Sequence, residues 1–220
     1  MSREVHVRFC ESRGVRFPPA THLVIMVAGA KAHADALWDE VAEVIAPLGL
    51  RLSAEKSRVC HLDEGFVFLG FRIQRRRKKG TTNSSVYTYP SKKALLSIMA
   101  KVRALTKKER HHSLADLLGR LNPVLRGWCA YFRHGVSKAT FGYLDSFVWH
   151  RVTQWLLKRH KQITWAELYR RFLTGRPGNR PAAEGITMFD AATVPITRYR
   201  WRANNIPTPW TSSAETSVPA

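Results

Sequence analysis

The sequence predicts an α+β protein in which a β-rich N-terminal part precedes a bundle of helices. Short apolar runs bounded by Gly and charged residues occur before Pro90, and such runs are typical of strands. After Pro90, apolar residues recur at three- and four-residue steps, which is the period of amphipathic helices. Hydrophobic residues make up 45% of the 220-residue chain, enough for a buried core.

The chain is strongly basic. Its 36 Lys and Arg residues against 16 Asp and Glu residues leave a formal charge of +20, which predicts a polyanionic partner. Seven Trp, six Tyr and ten Phe residues are spread among these cations. Most of the rings are expected in the core, but rings beside cations favour nucleic acid over a membrane surface, because rings stack on bases while Lys and Arg hold phosphates.

Cysteine and histidine are few and scattered. Cys10, Cys60 and Cys129 are odd in number and far apart, so neither a disulfide framework nor a zinc knuckle is predicted. The adjacent His111 and His112 have no Cys or carboxylate at ligand spacing. The N-terminus lacks a signal-peptide core, and no run approaches the roughly 18 apolar residues of a membrane span. We expect a cytoplasmic protein with no membrane contact.

Three segments form the predicted N-terminal unit. Residues 23–28 (LVIMVA) predict a buried strand, and residues 31–46 predict a helix closed by Pro47 and Gly49. Residues 66–73 (FVFLGFRI) predict a second apolar strand that ends at a cationic run. The GTTNSS stretch beyond that run predicts a mobile loop or hairpin tip, where we expect the unit to end.

Polar caps mark the starts of the predicted helices. Ser91 can cap the first helix, and Ser113, with Asp116 three residues later, can cap the second. Asn122 and Pro123 are predicted to restart the chain as a separate helix, because Asn is a good cap and Pro fits the first helical position. These signals together predict a compact helical bundle.

The last third of the chain closes this bundle. Ser137 opens the longest predicted helix, and Thr164 with Glu167 forms a capping box for a final short one. Residues 186–210 keep apolar and aromatic side chains and are expected to pack back on the bundle. The polar residues 211–220 predict a disordered tail.

Four short strings, read in order, carry a family resemblance. They are LGLRLSAEK at residues 48–56, EGFVFLGFRI at 64–73, LNPVLRGWCAYFR at 121–133 and RYRWRANNIPTPW at 198–210. Over residues 23–210 the chain resembles group II intron reverse transcriptases, intron-encoded proteins that join an RNA-directed DNA polymerase to a maturase domain.

The resemblance implies a division of the chain. Residues 1–20 stay unplaced, and residues 21–80 correspond to a truncated reverse-transcriptase palm remnant. Residues 90–210 correspond to a helical thumb and maturase region, also called domain X, and residues 211–220 form the tail. The implied function is binding of group II intron RNA, the RNA of a mobile genetic element, to assist its folding and splicing.

The polymerase site of the family is not matched. In the family a Tyr-Ala-Asp-Asp string precedes the first strand, and its paired aspartates hold two Mg²⁺ ions. This sequence has Pro19, Ala20, Thr21 and His22 there, and a hydroxyl and an imidazole are poor Mg²⁺ ligands. We therefore expect no catalytic residues, no metal site and no cofactor, with Mg²⁺ required only if polymerase activity were present. No Cys follows Cys129, so the family's zinc endonuclease module is not expected.

Clustered Lys and Arg side chains are the candidate RNA contacts, because phosphates supply much of the affinity in such complexes. The candidates are Lys56, Arg75, Arg76, Arg77, Lys78, Lys79, Lys92, Lys93, Arg126, Arg133, Lys158, Arg159, Arg198, Arg200 and Arg202. In the last three, Tyr199 and Trp201 alternate with the cations. An extended segment would place the cations on one side and the rings on the other, which makes it the leading candidate.

Each cluster also has a structural interpretation. The run at residues 75–79 is by itself typical of a solvated loop, but the cations that follow between residues 92 and 110 favour a phosphate-binding face. The cations at Arg151 and residues 158–161 would stabilise the C-terminus of their helix even without RNA. Both roles are open for these residues.

The LNPVLRGWCAYFR string combines rings and cations. Trp128 and Phe132 share one helical face and are expected in the core rather than at RNA. Arg126 and Arg133 lie near the surface of the same predicted helix. A salt bridge to Asp145 or another acid is the alternative to phosphate binding for them.

The predicted function is that of a maturase that binds structured group II intron RNA, while the RNA performs the chemistry. One alternative is a part of an active RNA-directed DNA polymerase that another chain completes. A second alternative is a decayed, non-specific nucleic-acid-binding remnant. A DNA target is a further candidate partner, and the sequence indicates neither the intron nor the oligomeric state.

Overall fold

The computed structural model describes residues 5–11, 22–54, 57–77, 80, 82–108, 113–173 and 179–197. Its elements are, in order, β1 (Val5–Glu11), β2 (His22–Ala28), α1 (Lys31–Ile45), β3 (Val59–His61), β4 (Phe66–Phe68), β5 (Phe71–Arg77), β6 (Ser84–Pro90), α2 (Lys92–Lys108), α3 (Leu114–Phe132), α4 (Lys138–Arg159), α5 (Trp165–Phe172), β7 (Ala182–Ala183) and β8 (Ile186–Thr187). Mixed α and β structure with a helical C-terminal region is confirmed. The assignment of residues 21–80 to a palm remnant stays a prediction.

The first sheet is antiparallel, with the order β2-β1-β3. Val5 of the central strand pairs with Ala28 at the end of β2. The strand predicted at residues 23–28 is confirmed by β2. β1 falls within residues 1–20, where no element is predicted, and β3 was not predicted either, so the sheet has two strands more than the sequence pattern indicates.

α1 follows β2 and contacts the first sheet. Its Ala34 is fully buried, and the helix predicted at residues 31–46 is confirmed to within one residue. Pro47 lies in a 3₁₀ turn after the helix. Gly49 ends that turn with a φ of 71°, a left-handed conformation that Gly adopts readily.

The second sheet, β4-β5-β6, corrects the single strand predicted at residues 66–73. That run is a hairpin in which Phe66 pairs with Ile73. Leu69 and Gly70 form the turn with φ values of 46° and 80°, the positive angles that a two-residue type I′ turn requires. The prediction was wrong because Leu69 carries no turn signal within a continuous apolar run. β5 then pairs with β6, so the predicted hairpin tip lies between these two strands.

The second sheet packs on α3 through aromatic rings. The ring centre of Phe71 lies 4.8 Å from that of Phe132, which lies 4.5 Å from that of Trp128. Phe132 is 4% exposed, which confirms the expectation that it belongs to the core, and Trp128 is partly buried and packs against the core.

Helices α2 to α5 enclose the main hydrophobic core. Leu117, Leu118 and Leu121 of α3 are fully buried there, together with Leu144 and Leu156 of α4. Burying one such side chain stabilises the fold by about 1.5–3 kcal/mol. Within the described part of the chain, no helix combines the length and apolar character needed to cross a membrane.

The helices begin at the predicted caps. Ser91, Ser113 and Thr164 each accept a hydrogen bond from the backbone N–H three residues later, at 3.1, 3.1 and 3.3 Å. Ser137 precedes α4 as predicted, but its hydroxyl donates to the Phe132 carbonyl at 2.6 Å instead of capping the helix.

The break predicted at Asn122 and Pro123 is not observed, because α3 runs through both residues. Pro123 lacks an N–H, which leaves the Gly119 carbonyl without its intrahelical donor, but both residues are exposed and that carbonyl can bind water. Asn122 is buried and makes two bonds to residues 187–189: its Nδ2 donates to the Thr187 carbonyl at 2.9 Å, and its Oδ1 accepts from a backbone N–H at 2.8 Å. Tertiary packing therefore overrides the local signal.

Residues 179–197, here called the C-terminal strap, lie against the bundle. Met188 and Ala191 are 2% and 1% exposed. The Trp149 indole N–H of α4 donates to the Asn179 carbonyl at 3.0 Å. The expectation that the chain packs back on the bundle is confirmed as far as the strap is described.

Candidate nucleic-acid interface

A cleft of about 950 Å³ lies beside the C-terminal ends of α2 and α4. The residues that line it, here called the basic cleft, are Thr106, Lys107, Arg151, Gln154, Trp155, Lys158, Arg159, His160 and Lys161. Five of these residues are Lys or Arg. None of the described residues that line the cleft is Asp or Glu.

The cleft forms because α2 and α4 run in the same direction. The guanidinium carbon of Arg103 on α2 lies 5.0 Å from the ring centre of Phe147 on α4. One turn later, Thr106 contacts Arg151. Both helices therefore end at the same side of the bundle, and this brings Lys107 beside cations that are far from it in sequence.

Arg151 is held in the cleft by a hydroxyl. Its Nε and Nη2 atoms donate to Thr106 Oγ1 at 3.1 and 2.8 Å. That hydroxyl donates in turn to the Val102 carbonyl at 2.8 Å, and Thr106 is 5% exposed. The guanidinium is thus fixed by a neutral partner, so it can bind a phosphate with little further loss of side-chain freedom.

Trp155 positions Arg159 in the cleft, as Thr106 positions Arg151. The Arg159 guanidinium carbon lies 5.4 Å from the ring centre of Trp155, within the range of a cation–π contact. The ring itself is 3% exposed and belongs to the main core. A rigid core residue therefore positions a second cation of the cleft.

Helix dipoles account for only part of this cluster. Each helix C-terminus carries about half a negative charge, so the two helix ends supply about one. Five cationic side chains line the cleft beside them. Like charges gathered in a cleft repel one another and raise the local concentration of anions. The electrostatics therefore favour a bound polyanion.

The arginine run at the second sheet is divided between two faces of β5. Arg75 forms a bidentate pair with Asp63, with distances of 2.5 and 2.8 Å. The hydrogen bond from Arg75 holds the pKa of the Asp63 carboxyl below its usual range, so the pair stays ionised at neutral pH. Arg76 donates to the Tyr89 hydroxyl at 3.0 Å. Arg77 is exposed at the end of the strand.

Lys92 and Lys93 lie exposed in the first turn of α2, which holds no acidic residue. Cations at a helix N-terminus oppose the dipole, so helix stability does not explain them. At 1.5 Å per residue, Lys92 lies about 22 Å along the helix from Lys107. The predicted cations of α2 therefore belong to two separate basic regions.

Arg126 and Arg133 are exposed on α3 and at its C-terminal cap. The proposed alternative of a salt bridge to Asp145 is wrong, because both oxygens of that carboxylate bind Arg180, at 2.7 and 2.8 Å. The Arg126 guanidinium carbon lies 5.6 Å from the ring centre of Phe189 in the strap. Phosphate binding by Arg126 and Arg133 stays a prediction.

Several predicted contacts lie outside the described residues. They are Lys56, Lys78, Lys79, Arg198, Arg200 and Arg202, together with the pair His111 and His112. Their proposed roles stay predictions from the sequence.

Comparison with known families finds a match within the helical part of the chain. Residues 95–173 match the family described as Group II intron, maturase-specific domain. This segment is similar to group II intron maturase-specific domains. The matched segment begins within α2, ends one residue after α5 and contains every residue that lines the basic cleft.

One curated relative is similar over part of the chain. Protein YkfC of Escherichia coli (strain K12) is 36% identical over 92 residues, which cover 41% of this chain and 24% of that protein. The matched part thus spans about a quarter of the length of the relative.

The sequence analysis identified only some of the residues that line the basic cleft. It named Lys158 and Arg159 as contacts, and it counted Lys107 and Arg151 among nearby cations without placing them together. It missed Thr106, because a buried hydroxyl that fixes a guanidinium has no local sequence signal. Only the packing of α2 beside α4 reveals that role.

Proposed function

We propose that this chain binds group II intron RNA through the basic cleft of its maturase-specific domain and helps that RNA reach its splicing-competent fold. The observation that carries the proposal is a cleft with five Lys and Arg residues and no Asp or Glu among its described lining residues. It lies within the residues matched to the maturase-specific family. The RNA would perform the chemistry of splicing.

The proposed action follows from electrostatics. A compact RNA brings phosphates close together, and fixed cations reduce their mutual repulsion. Arg151 and Arg159 are already positioned by Thr106 and Trp155. A protein that binds the compact RNA more tightly than open forms shifts the population towards the compact fold.

We propose no polymerase activity for this chain by itself. Residues 19–22 hold no acidic side chain at the position where the family has its aspartate pair. Template-directed extension of a primer by the purified chain would contradict this part of the proposal.

Two cations that line the cleft from different helices provide the test of RNA binding. The full chain with both Lys107→Gln and Lys158→Gln should bind an in vitro transcribed group II intron RNA at least about tenfold more weakly than the wild type. The reason is that each charge-assisted contact contributes about 1.5–3 kcal/mol. Filter binding at fixed salt measures the change.

The matched control removes two exposed cations far from the cleft in sequence, through Lys31→Gln and Arg51→Gln. This control has the same net charge as the cleft variant and should keep nearly wild-type affinity. If both variants lost the same affinity for the RNA, binding would be non-specific attraction by net charge, and the proposal would be contradicted. A scrambled RNA of equal length should bind the wild type more weakly than the intron RNA, and equal binding would contradict a maturase role.

A further inference from the structure

Two large aromatic side chains on α5 are exposed. Trp165 and Tyr169 are 48% and 39% exposed, whereas Leu168, which lies between them in sequence, is fully buried. The helix is therefore anchored through Leu168 and leaves the two rings partly exposed to solvent. Burial of these rings against their own chain does not account for their presence.

The two rings belong to a row that leads to the basic cleft. Trp165, Tyr169 and Phe172 are spaced by four and three residues, so they share one face of α5. The ring centres of Trp165 and Tyr169 lie 6.3 Å apart. The ring of Phe172 lies 5.0 Å from the ring of His160, and His160 lines the cleft.

The positive charge around this row of rings indicates which kind of ligand it could bind. Arg170 and Arg171 occupy the last turn of α5, and Lys161 lies exposed just before the helix. Arg171 pairs with Glu167 at 3.2 Å, but its side chain is still 57% exposed. Rings flanked by cations suit a nucleotide, whose base stacks on the ring while its phosphate meets the cation.

We propose that Trp165 and Tyr169 stack on unpaired bases of an RNA whose phosphate backbone lies in the basic cleft. The proposal rests on the proposed function of the cleft and narrows its target. The preferred RNA is a helix that passes into a single strand, because the cleft binds backbone of either kind whereas a stacking platform needs bases with an open face.

The test uses two fluorescently labelled probes and the full chain. One probe is an RNA duplex, and the other is the same duplex with a single-stranded oligoadenosine overhang. Trp165→Leu and Tyr169→Leu keep an apolar side chain but remove the ring. Trp165→Phe and Tyr169→Phe keep a ring and serve as matched controls.

We expect each Leu variant to bind the overhang probe roughly five- to a hundredfold more weakly than the wild type, the range found when one stacking ring is removed. Binding of the duplex should be unchanged, and the Phe variants should retain most of the affinity for the overhang. If the Leu variants bind the overhang as the wild type does, the row serves another occupant, such as a protein surface, and the proposal is overturned. Equal losses for both probes would also overturn it, because they indicate a disturbed fold.

The variant with Lys107→Gln and Lys158→Gln separates this inference from the proposed function. It should weaken the binding of both probes. If it weakens both while the Leu variants change neither, the cleft binds RNA and the stacking proposal fails. If it weakens neither, the proposed function itself fails.

Discussion

At the scale of single residues, one buried ion network fixes the strap to the bundle. Arg180 is 12% exposed and binds Asp145, which is 13% exposed, through two hydrogen bonds, and Asp190 lies 2.7 Å from its Nη2 atom. Asp145 also accepts the Ala191 N–H at 3.1 Å. Burial lowers the pKa of Arg180, but the bonds and charges of the two acids outweigh burial and raise it. The arginine is therefore charged at every accessible pH.

Asp145→Asn should lower the free energy of unfolding by about 2–3 kcal/mol. The change keeps the size of the side chain and removes its charge. Breaking a buried ion pair costs about 3–5 kcal/mol, and the remaining Asp190 reduces that loss. Urea unfolding followed by circular dichroism measures the change.

An exposed pair supplies the control for this prediction. Glu167→Gln removes the partner of Arg171, whose side chain is 57% exposed, and should cost less than about 1 kcal/mol. If both substitutions cost the same, the network of Arg180 does not hold the strap.

At the scale of elements, the hairpin of β4 and β5 shows why one boundary could not be predicted. The Leu69 carbonyl accepts a hydrogen bond from the Tyr131 hydroxyl at 2.8 Å, and the Gly70 carbonyl accepts one from the Ser91 N–H at 2.8 Å. Both donors lie far along the chain from the turn, beyond β5 and β6. The left-handed conformation of Leu69 is therefore stabilised by contacts that no local pattern contains.

Gly70→Ala should destabilise the fold by about 2–3 kcal/mol, measured by urea unfolding. A left-handed conformation costs a non-glycine residue about 1–2 kcal/mol, and a Cβ at this position would lie 3.2 Å from the Phe132 ring. The ring packs between the sheet and α3, so it has little room to move.

Gly80→Ala is the control for Gly70→Ala, because it measures the conformational part of the loss of stability alone. Gly80 has a φ of 79°, and a Cβ there would meet no atom of the described residues within 4 Å. This substitution should cost only the conformational part, about 1–2 kcal/mol. Equal losses at both glycines would mean that the turn is not docked against α3.

The helices were more predictable than the strands. The caps at Ser113 and Thr164 mark the true starts of α3 and α5, because a cap bond is local and its residues are adjacent in sequence. The break at Pro123 was a wrong prediction for the opposite reason. An interior proline costs about 3 kcal/mol, and the buried inner face of α3 with the two bonds of Asn122 offsets it.

At the scale of the whole molecule, the sequence predicts the charge and the helical bundle but not where the charge is gathered. Cations at the ends of two helices form one cleft only because α2 and α4 are parallel. The row that begins at Trp165 was missed as well. Its signal, a Trp and a Tyr four residues apart on a short helix, is common in cores, and only their exposure distinguishes them.

The cations proposed to bind RNA lie in two separate regions of the molecule. The basic cleft and the row of α5 lie at one end of the bundle, and Lys92 with Lys93 lies about 22 Å away along α2. A structured RNA is large enough to meet both regions. The cleft gathers five cations, one of which is fixed by the Thr106 hydroxyl, so it is expected to dominate the salt-sensitive affinity.

The measurement that tests this account most directly is the salt dependence of RNA binding by the wild type and by the variant with Lys107→Gln and Lys158→Gln. Each lost phosphate contact should reduce the slope of log affinity against log salt by about 0.7–0.9. We predict a reduction of about 1.4–1.8 for this variant, and a smaller one for the control with Lys31→Gln and Arg51→Gln. Slopes that are the same for the wild type and the cleft variant would show that RNA phosphates do not occupy the cleft.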